Sequence, residues 1–197
     1  MSEPISRTHL DERLLRGRVA KVVGVDVDPI VMENPSVDQA YVSPAGAPLP
    51  FDDESFDLVI ADYVFEHVSR EDAPGVADEL LRVLKPGGWI AARTPNKWGM
   101  IGIGARSVPN RLHTRVLERL QPGRQAQDVF PTRYAMNSRP DLKRLFPADR
   151  VDLIVYGHTS EPTYFGRSRL AWRVAAFVGH LTPPRLAATL MVFVRKL

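Results

Sequence analysis

Three apolar runs in this sequence close on polar side chains able to hold a small molecule. Residues 21–26 (KVVGVD) end at Asp26, residues 56–61 (FDLVIA) are followed by Asp62, and residues 89–94 (WIAART) lead into Pro95 and Asn96. A carboxylate at the end of a sheet's second strand can accept two hydrogen bonds from a ribose diol, as in dinucleotide-binding folds. A lone aspartate in such a place more commonly caps a turn, but the order and spacing of the three ends favour a shared ligand rim. His67 and His113 are the two candidate bases, since a neutral imidazole suits proton transfer near pH 7. No HxxxH pair or carboxylate cluster suggests a metal, and none is expected. The sequence has no cysteine, which excludes a disulfide scaffold, a thiolate metal site and a cysteine nucleophile.

The elements that must position these residues alternate in type. A helix is expected at 9–18 and strands at 21–26, 39–42 and 56–61. A helix at 72–85 carries Val76, Leu80, Val83 and Leu84 on one face. Pro86, Gly87 and Gly88 suit a tight turn into the strand at 89–94. Ser138 and Pro140 are start signals for a helix near 138–146. Strands follow at 151–156 and 189–195. Helices alternating with apolar strands predict an α/β fold, a three-layer sandwich whose mostly parallel sheet is covered on both faces. In such a sheet, ligands bind outside the carboxyl ends of the strands.

The stretches "VVGVDVDP" (22–29), "LPFDDESFDLVIADYVFEHV" (49–68) and "ELLRVLKPGGWIAARTPN" (79–96) resemble successive motifs of the class I S-adenosylmethionine-dependent methyltransferases, of the type 11 kind. "DVFPTRYAMNS" (128–138) is similar to a stretch in a bacterial subgroup whose loop also reads "TPN". The resemblance implies a seven-stranded Rossmann-like sheet whose last strand, here 189–195, runs antiparallel. It implies S-adenosyl-L-methionine as cofactor, with Asp26 on the ribose hydroxyls and Val27 and Asp28 flanking the adenosine. Ala45 and Gly46 would meet the adenine edge, Ala45 by backbone alone. Asp62 and Tyr63 would lie near the methionine part and the transferred methyl, with the Tyr63 ring favouring the sulfonium cation. Asn96 and Tyr134 would face the acceptor.

The resemblance also places a first strand and a G-x-G-x-G loop ahead of the helix at 9–18. This sequence has neither; Gly17 and Gly24 are the only glycines before residue 46. The expectation is an N-terminally truncated Rossmann-like sheet, with a start codon assigned too far downstream as the simpler account and a degraded or rearranged paralogue as the other. The gap is then closed by pairing the second strand with the fourth, or it leaves exposed edges. Cofactor binding by the 197-residue chain is expected to be weak. Methyl transfer to a small, sugar-bearing or lipid-linked acceptor ranks first among functions. A non-catalytic relative with a binding role ranks second, and an NAD-dependent dehydrogenase third, since an acid after the second strand also suits NAD.

At 197 residues with 44% apolar and 25% charged positions, a single globular domain is expected. Neither a signal peptide nor a membrane-spanning run is present, so a cytoplasmic protein is expected. Residues 1–98 carry a net charge of −7 and residues 99–197 a net charge of +10. The basic half could meet an anionic partner, or be only a solvated surface; no nucleic acid is expected, and exposed edges leave room for a homo-oligomer. Residues 97–134 exceed a plain connection and are read as a substrate lid with Asn96 at its hinge, or a packed insertion. Residues 164–185 form an apolar helix with arginines around it. It either packs on the sheet or a partner subunit, or lies peripherally on the inner membrane surface.

Overall fold

The computed structural model describes residues 15–99, 132–159 and 169–197. It divides into two compact units, residues 1–50 and 51–197.

In the first unit, β1 (Val23–Asp26) and β2 (Gln39–Val42) pair in parallel, with Asp26 opposite Val42. The crossover between them contains a 3-10 helix, Pro29–Glu33. Its start follows from sequence: the Asp28 carboxylate accepts the Ile30 N–H at 2.9 Å, and Pro29 lacks an N–H where none is needed. Val31 of this helix is buried against Gly24, where an added β-carbon would lie 3.3 Å from Val31 Cγ2 and 3.1 Å from Val37 Cγ1. A side chain at position 24 would make the Val31 and Val37 methyls give way by a few tenths of an ångström. Asp38 accepts from Val22 N–H at 2.8 Å and from Arg16 Nε at 3.1 Å. Of the helix expected at 9–18, residues 9–14 lie outside the described residues. Residues 15–18 make a turn, with the Leu15 carbonyl accepting from Arg18 and Val19 and Gly17 at φ +77°.

The second unit holds a four-stranded sheet of order β3-β4-β6-β5: β3 (Phe56–Asp62), β4 (Leu84–Pro95), β5 (Val151–His158) and β6 (Thr189–Lys196). β3 and β4 are parallel, and β6 is antiparallel to both its neighbours. The reversed final strand is the one the sequence resemblance implied. β1 and β3 belong to different sheets, so the second strand is not paired with the fourth, and β3 is an edge strand.

Helix α1 (Ala73–Val83) ends where it must. Pro86 has no N–H to give the Arg82 carbonyl, and its ring would clash there; that carbonyl instead accepts the Glu54 N–H at 2.9 Å. The Arg82 side chain binds the Phe51 carbonyl, Asp53 and Glu79, which anchors the LPFDDESF stretch to the helix. The expected turn before the strand is a bulge inside it. Phe56 lies opposite Leu84 but Leu58 lies opposite Trp89. Gly87 takes φ +77°, and a β-carbon on Gly88 would fall 2.9 Å from the Lys85 carbonyl and 3.0 Å from that of Asp57. Two residues of β3 thus span five of β4.

Helix α2 (Arg139–Leu145) starts as its sequence signals predict, with Ser138 Oγ accepting the Asp141 N–H at 3.3 Å. The core lies between α1, α2 and one face of the sheet, where Leu81, Ile90, Met136, Leu142, Phe146 and Val192 are buried. On the opposite face Leu58, Ile60, Ile154 and Tyr156 are about half exposed. Helix α3 (Arg169–Leu181) occupies the expected apolar stretch. Among the described residues no helix is long and apolar enough to cross a membrane.

Candidate functional site

The parallel pair β1–β2 brings five of the expected residues to one end. Ser43 N–H donates to the Asp26 carbonyl at 2.9 Å, so the loops leaving the two strands begin side by side. One loop carries Asp26, Val27 and Asp28; the other carries Ala45 and Gly46. Asp26 is exposed, and its Oδ1 accepts the Asp28 N–H at 2.9 Å. That bond fixes the carboxylate's direction while leaving acceptor capacity for two hydroxyl donors. Ala45 and Gly46 are the central residues of a turn closed by Ala47 N–H to the Pro44 carbonyl at 3.1 Å, with Gly46 at φ +76°. A positive φ at the third position marks a type II turn and explains the glycine. The exposed backbone there is available to an edge-on ring, in keeping with Ala45 having no polar side chain.

The parallel pair β3–β4 gathers a second set. Asp62 is gripped by Arg93 through two bonds of 2.7 Å, Nε to Oδ1 and Nη2 to Oδ2. The same guanidinium lies 4.8 Å from the centre of the Tyr63 ring. Tyr63 has φ +55° and donates its N–H to the Arg93 carbonyl at 2.8 Å. Arg93 therefore covers one face of the ring expected to meet a sulfonium and engages both oxygens of the neighbouring acid. His67 is exposed in the turn after β3, with its N–H on the Val64 carbonyl at 3.0 Å.

Behind this rim runs a buried polar chain. Glu66 is only 5% exposed and accepts the Thr94 hydroxyl at 3.1 Å. Asn137 Nδ2 donates to Thr94 Oγ1 at 2.6 Å and to the Pro95 carbonyl at 3.0 Å, while its Oδ1 has no partner. The Glu66 carbonyl accepts the N–H groups of Arg133 and Tyr134. Tyr134 is half-buried at φ +55°, a left-handed conformation that it shares with Tyr63 and Glu54. Burial pushes the Glu66 carboxyl above the usual carboxylate range; bonds from its own backbone N–H and Thr94, and the nearby His67, pull the other way.

Asn96 is buried, and its amide ties the end of β4 to the segment that leads into β6: Nδ2 donates to the Arg185 and Ala187 carbonyls at 3.0 and 2.8 Å, and Oδ1 accepts the Trp98 N–H at 3.0 Å. Its polar atoms are thus engaged within the protein. His113 and most of the expected lid, residues 100–131, lie outside the described residues. Among the described residues no cluster of His, Asp and Glu could hold a metal ion.

Sequence reasoning did not single out Arg93, Glu66 or Asn137. A signal existed for Arg93, the one charge inside the apolar run WIAART. Glu66 and Asn137 gave none, because their importance comes from burial.

Residues 9–92 match the family model described as "Methyltransferase domain". Among solved structures, the chain is similar to an S-adenosylmethionine-dependent methyltransferase from Methanosarcina mazei at 15% identity and a TM-score of 0.52. That alignment covers 89% of this chain and 81% of the other. A methyltransferase from Thermotoga maritima aligns at 14% identity and a TM-score of 0.53, covering 94% and 87%. One from Archaeoglobus fulgidus aligns at 16% identity and a TM-score of 0.51, covering 97% and 82%. A search of curated proteins found no significant match. The domain match together with the fold indicates S-adenosylmethionine as the cofactor and methyl transfer as the general activity. In fold the chain is similar to S-adenosylmethionine-dependent methyltransferases, and residues 9–92, a little under half of it, match the methyltransferase domain model.

Proposed function

We propose that this chain transfers the methyl group of S-adenosylmethionine to a small, sugar-bearing or lipid-linked acceptor, with Asp26 as the ribose-binding acid. The observation that carries the reading is the exposed Asp26 carboxylate, fixed by the Asp28 N–H beside the Ala45–Gly46 turn at the ends of two parallel strands. Bound cofactor supplies a methyl already activated on sulfur, so the protein's task is alignment. Asp26 orients the ribose, Val27 and Asp28 border the adenosine, and the Ala45–Gly46 backbone meets the adenine edge. Asp62 and Tyr63, held by Arg93 in the second unit, are the residues that the motif resemblance assigns to the methionine part. His67, exposed after β3, is the candidate base for an acceptor hydroxyl or amine; His113 is the other. Tyr134 serves the acceptor side, and Asn96 fixes the start of the loop that recognises it.

A second reading is a non-catalytic relative that binds through the same fold. It is favoured by one observation: Arg93 takes both oxygens of Asp62 and covers one face of the Tyr63 ring, so neither group is open on that side to a ligand. Titration calorimetry with S-adenosylmethionine and S-adenosylhomocysteine separates the two. Weak saturable binding that Asp26→Ala reduces supports the first. Binding unchanged in Asp26→Ala removes that residue from the site, and no heat from either ligand with the folded chain favours the second.

A further inference from the structure

Helix α3 presents its apolar side in the wrong direction for a core helix. Leu170, Val174, Phe177, Val178 and Leu181 recur at i, i+4, i+7, i+8 and i+11, which aligns them in one stripe. Leu170 is 75% exposed, Phe177 64% and Leu181 62%. The opposite side meets the protein: a β-carbon on Gly179 would lie 3.1 Å from Thr159 Cγ2, and Ala176 and Gly179 are only half-exposed. Ala176 and Gly179 face the protein, and the apolar residues of the stripe face out. Trp172 lies with the inward set rather than in the stripe, so the stripe is built of aliphatic side chains and one phenylalanine.

The sequence from the helix to the last residue carries charge of one sign. Glu161 is the last acidic residue of the sequence, and Arg173, Arg185, Arg195 and Lys196 follow it. Arg173 and His180 are exposed, and a helix places both along one border of the stripe. An apolar face bordered by the Arg173 guanidinium, in a segment without acidic residues, fits a surface that is apolar inside and anionic at its rim. An antiparallel second copy would set its Arg173 border on the same side as this one, which opposes that pairing. Thirteen residues reach about 20 Å at 1.5 Å each, short of the roughly 30 Å hydrocarbon thickness of a bilayer. The helix can lie in the interface and cannot cross it.

We propose that α3 docks the protein on anionic lipid bilayers, with Phe177 and Leu181 entering the acyl boundary and Arg173 and Arg185 meeting lipid phosphates. The inference is independent of the methyl-transfer reading. Flotation of the full chain with phosphatidylcholine vesicles, with and without phosphatidylglycerol, tests it. The chain is expected to float with the anionic vesicles and to be released as salt rises from about 0.1 M to about 1 M, because shorter screening lengths weaken the phosphate contacts. Phe177→Ser and Leu181→Ser should each lower the bound fraction about tenfold or more, the scale for one buried apolar side chain. Arg173→Glu should lower it several-fold; unchanged circular dichroism certifies the fold of each variant. Failure of the wild type to float with either vesicle overturns the proposal. So does flotation unaffected by the serine variants, or a concentration-dependent dimer by light scattering that Phe177→Ser dissolves in the absence of lipid.

Discussion

The two parallel strand pairs share a pattern and differ in what their terminal acids do. β1 and β3 each finish on an aspartate at the carboxyl end of a parallel pair. Asp62 gives both oxygens to Arg93, whereas Asp26 gives one oxygen to a backbone N–H two residues on. The surroundings differ in the same sense. Between residues 15 and 50 only Val31 and Ser43 are buried, while β3 and β4 stand against a continuous core. An acid at a strand end is thus not one kind of signal. Its partners decide whether it serves the fold or waits for a ligand, and the well-built unit uses its acid internally.

The comparison can be broken most forcefully in the core. Phe146→Ala should cost about 3–5 kcal/mol of stability, the range for a buried aromatic truncation. Denaturant unfolding followed by hydrogen exchange should show faster exchange throughout residues 51–197. If only residues near 146 respond, the second unit is not one cooperative body. Asp26→Ala should leave the unfolding midpoint within about 0.5 kcal/mol of wild type, as for a surface change. It should weaken S-adenosylmethionine by about 1.5–3 kcal/mol, the scale of hydrogen bonds to a charged group. A stability loss without a binding loss would reverse the roles assigned to the two acids. Val31→Ala removes the buried apolar side chain of the first unit and should cost about 1.5 kcal/mol by lost burial. The effect should be confined to amide exchange in residues 15–50; a matching change in β4 would show the two units to be coupled.

The smallest effect is a change of slope. The folded state holds Glu66 above its ordinary value of 4.5 because burial disfavours the charged form. The native state therefore binds more protons than the unfolded state just above that pH, and stability falls as pH rises through the folded value. Glu66→Gln removes this term. Its stability relative to wild type should rise between pH 4.5 and 7.5 in urea titrations, and a constant difference would show that Glu66 ionises freely in the fold.

Much of this was legible in the sequence. Ser138 and Pro140 announce α2, the alternation of apolar runs announces the strands, and the quoted motifs carried the reversed last strand. Two features were not legible. The bulge was read as a turn, because Pro-Gly-Gly suits either and only pairing with β3 distinguishes them. The engagement of Asn96 with the Arg185 and Ala187 carbonyls joins residues about ninety positions apart, and no local pattern reports such a bond. The same limit hid Asn137 and Glu66, whose roles arise from tertiary burial.

The bulge at Gly88 also settles a question of alignment along the sheet. The two faces of β4 are chemically similar near its middle, Ile90 and Ala92 on one side and Trp89 and Ala91 on the other. Hydrophobicity alone discriminates poorly between this pairing and one slipped by a residue, which would exchange the faces. Gly88 reduces the ambiguity, since a β-carbon at the place it occupies would lie 3.0 Å from the Asp57 carbonyl of the neighbouring strand. A slip in one direction would bring Trp89 into that space. A slip in the other would bring Gly87 there and displace it from the site that needs its positive φ. The glycine pair acts as a stop on the strand. It delivers Arg93, five residues along, opposite Asp62.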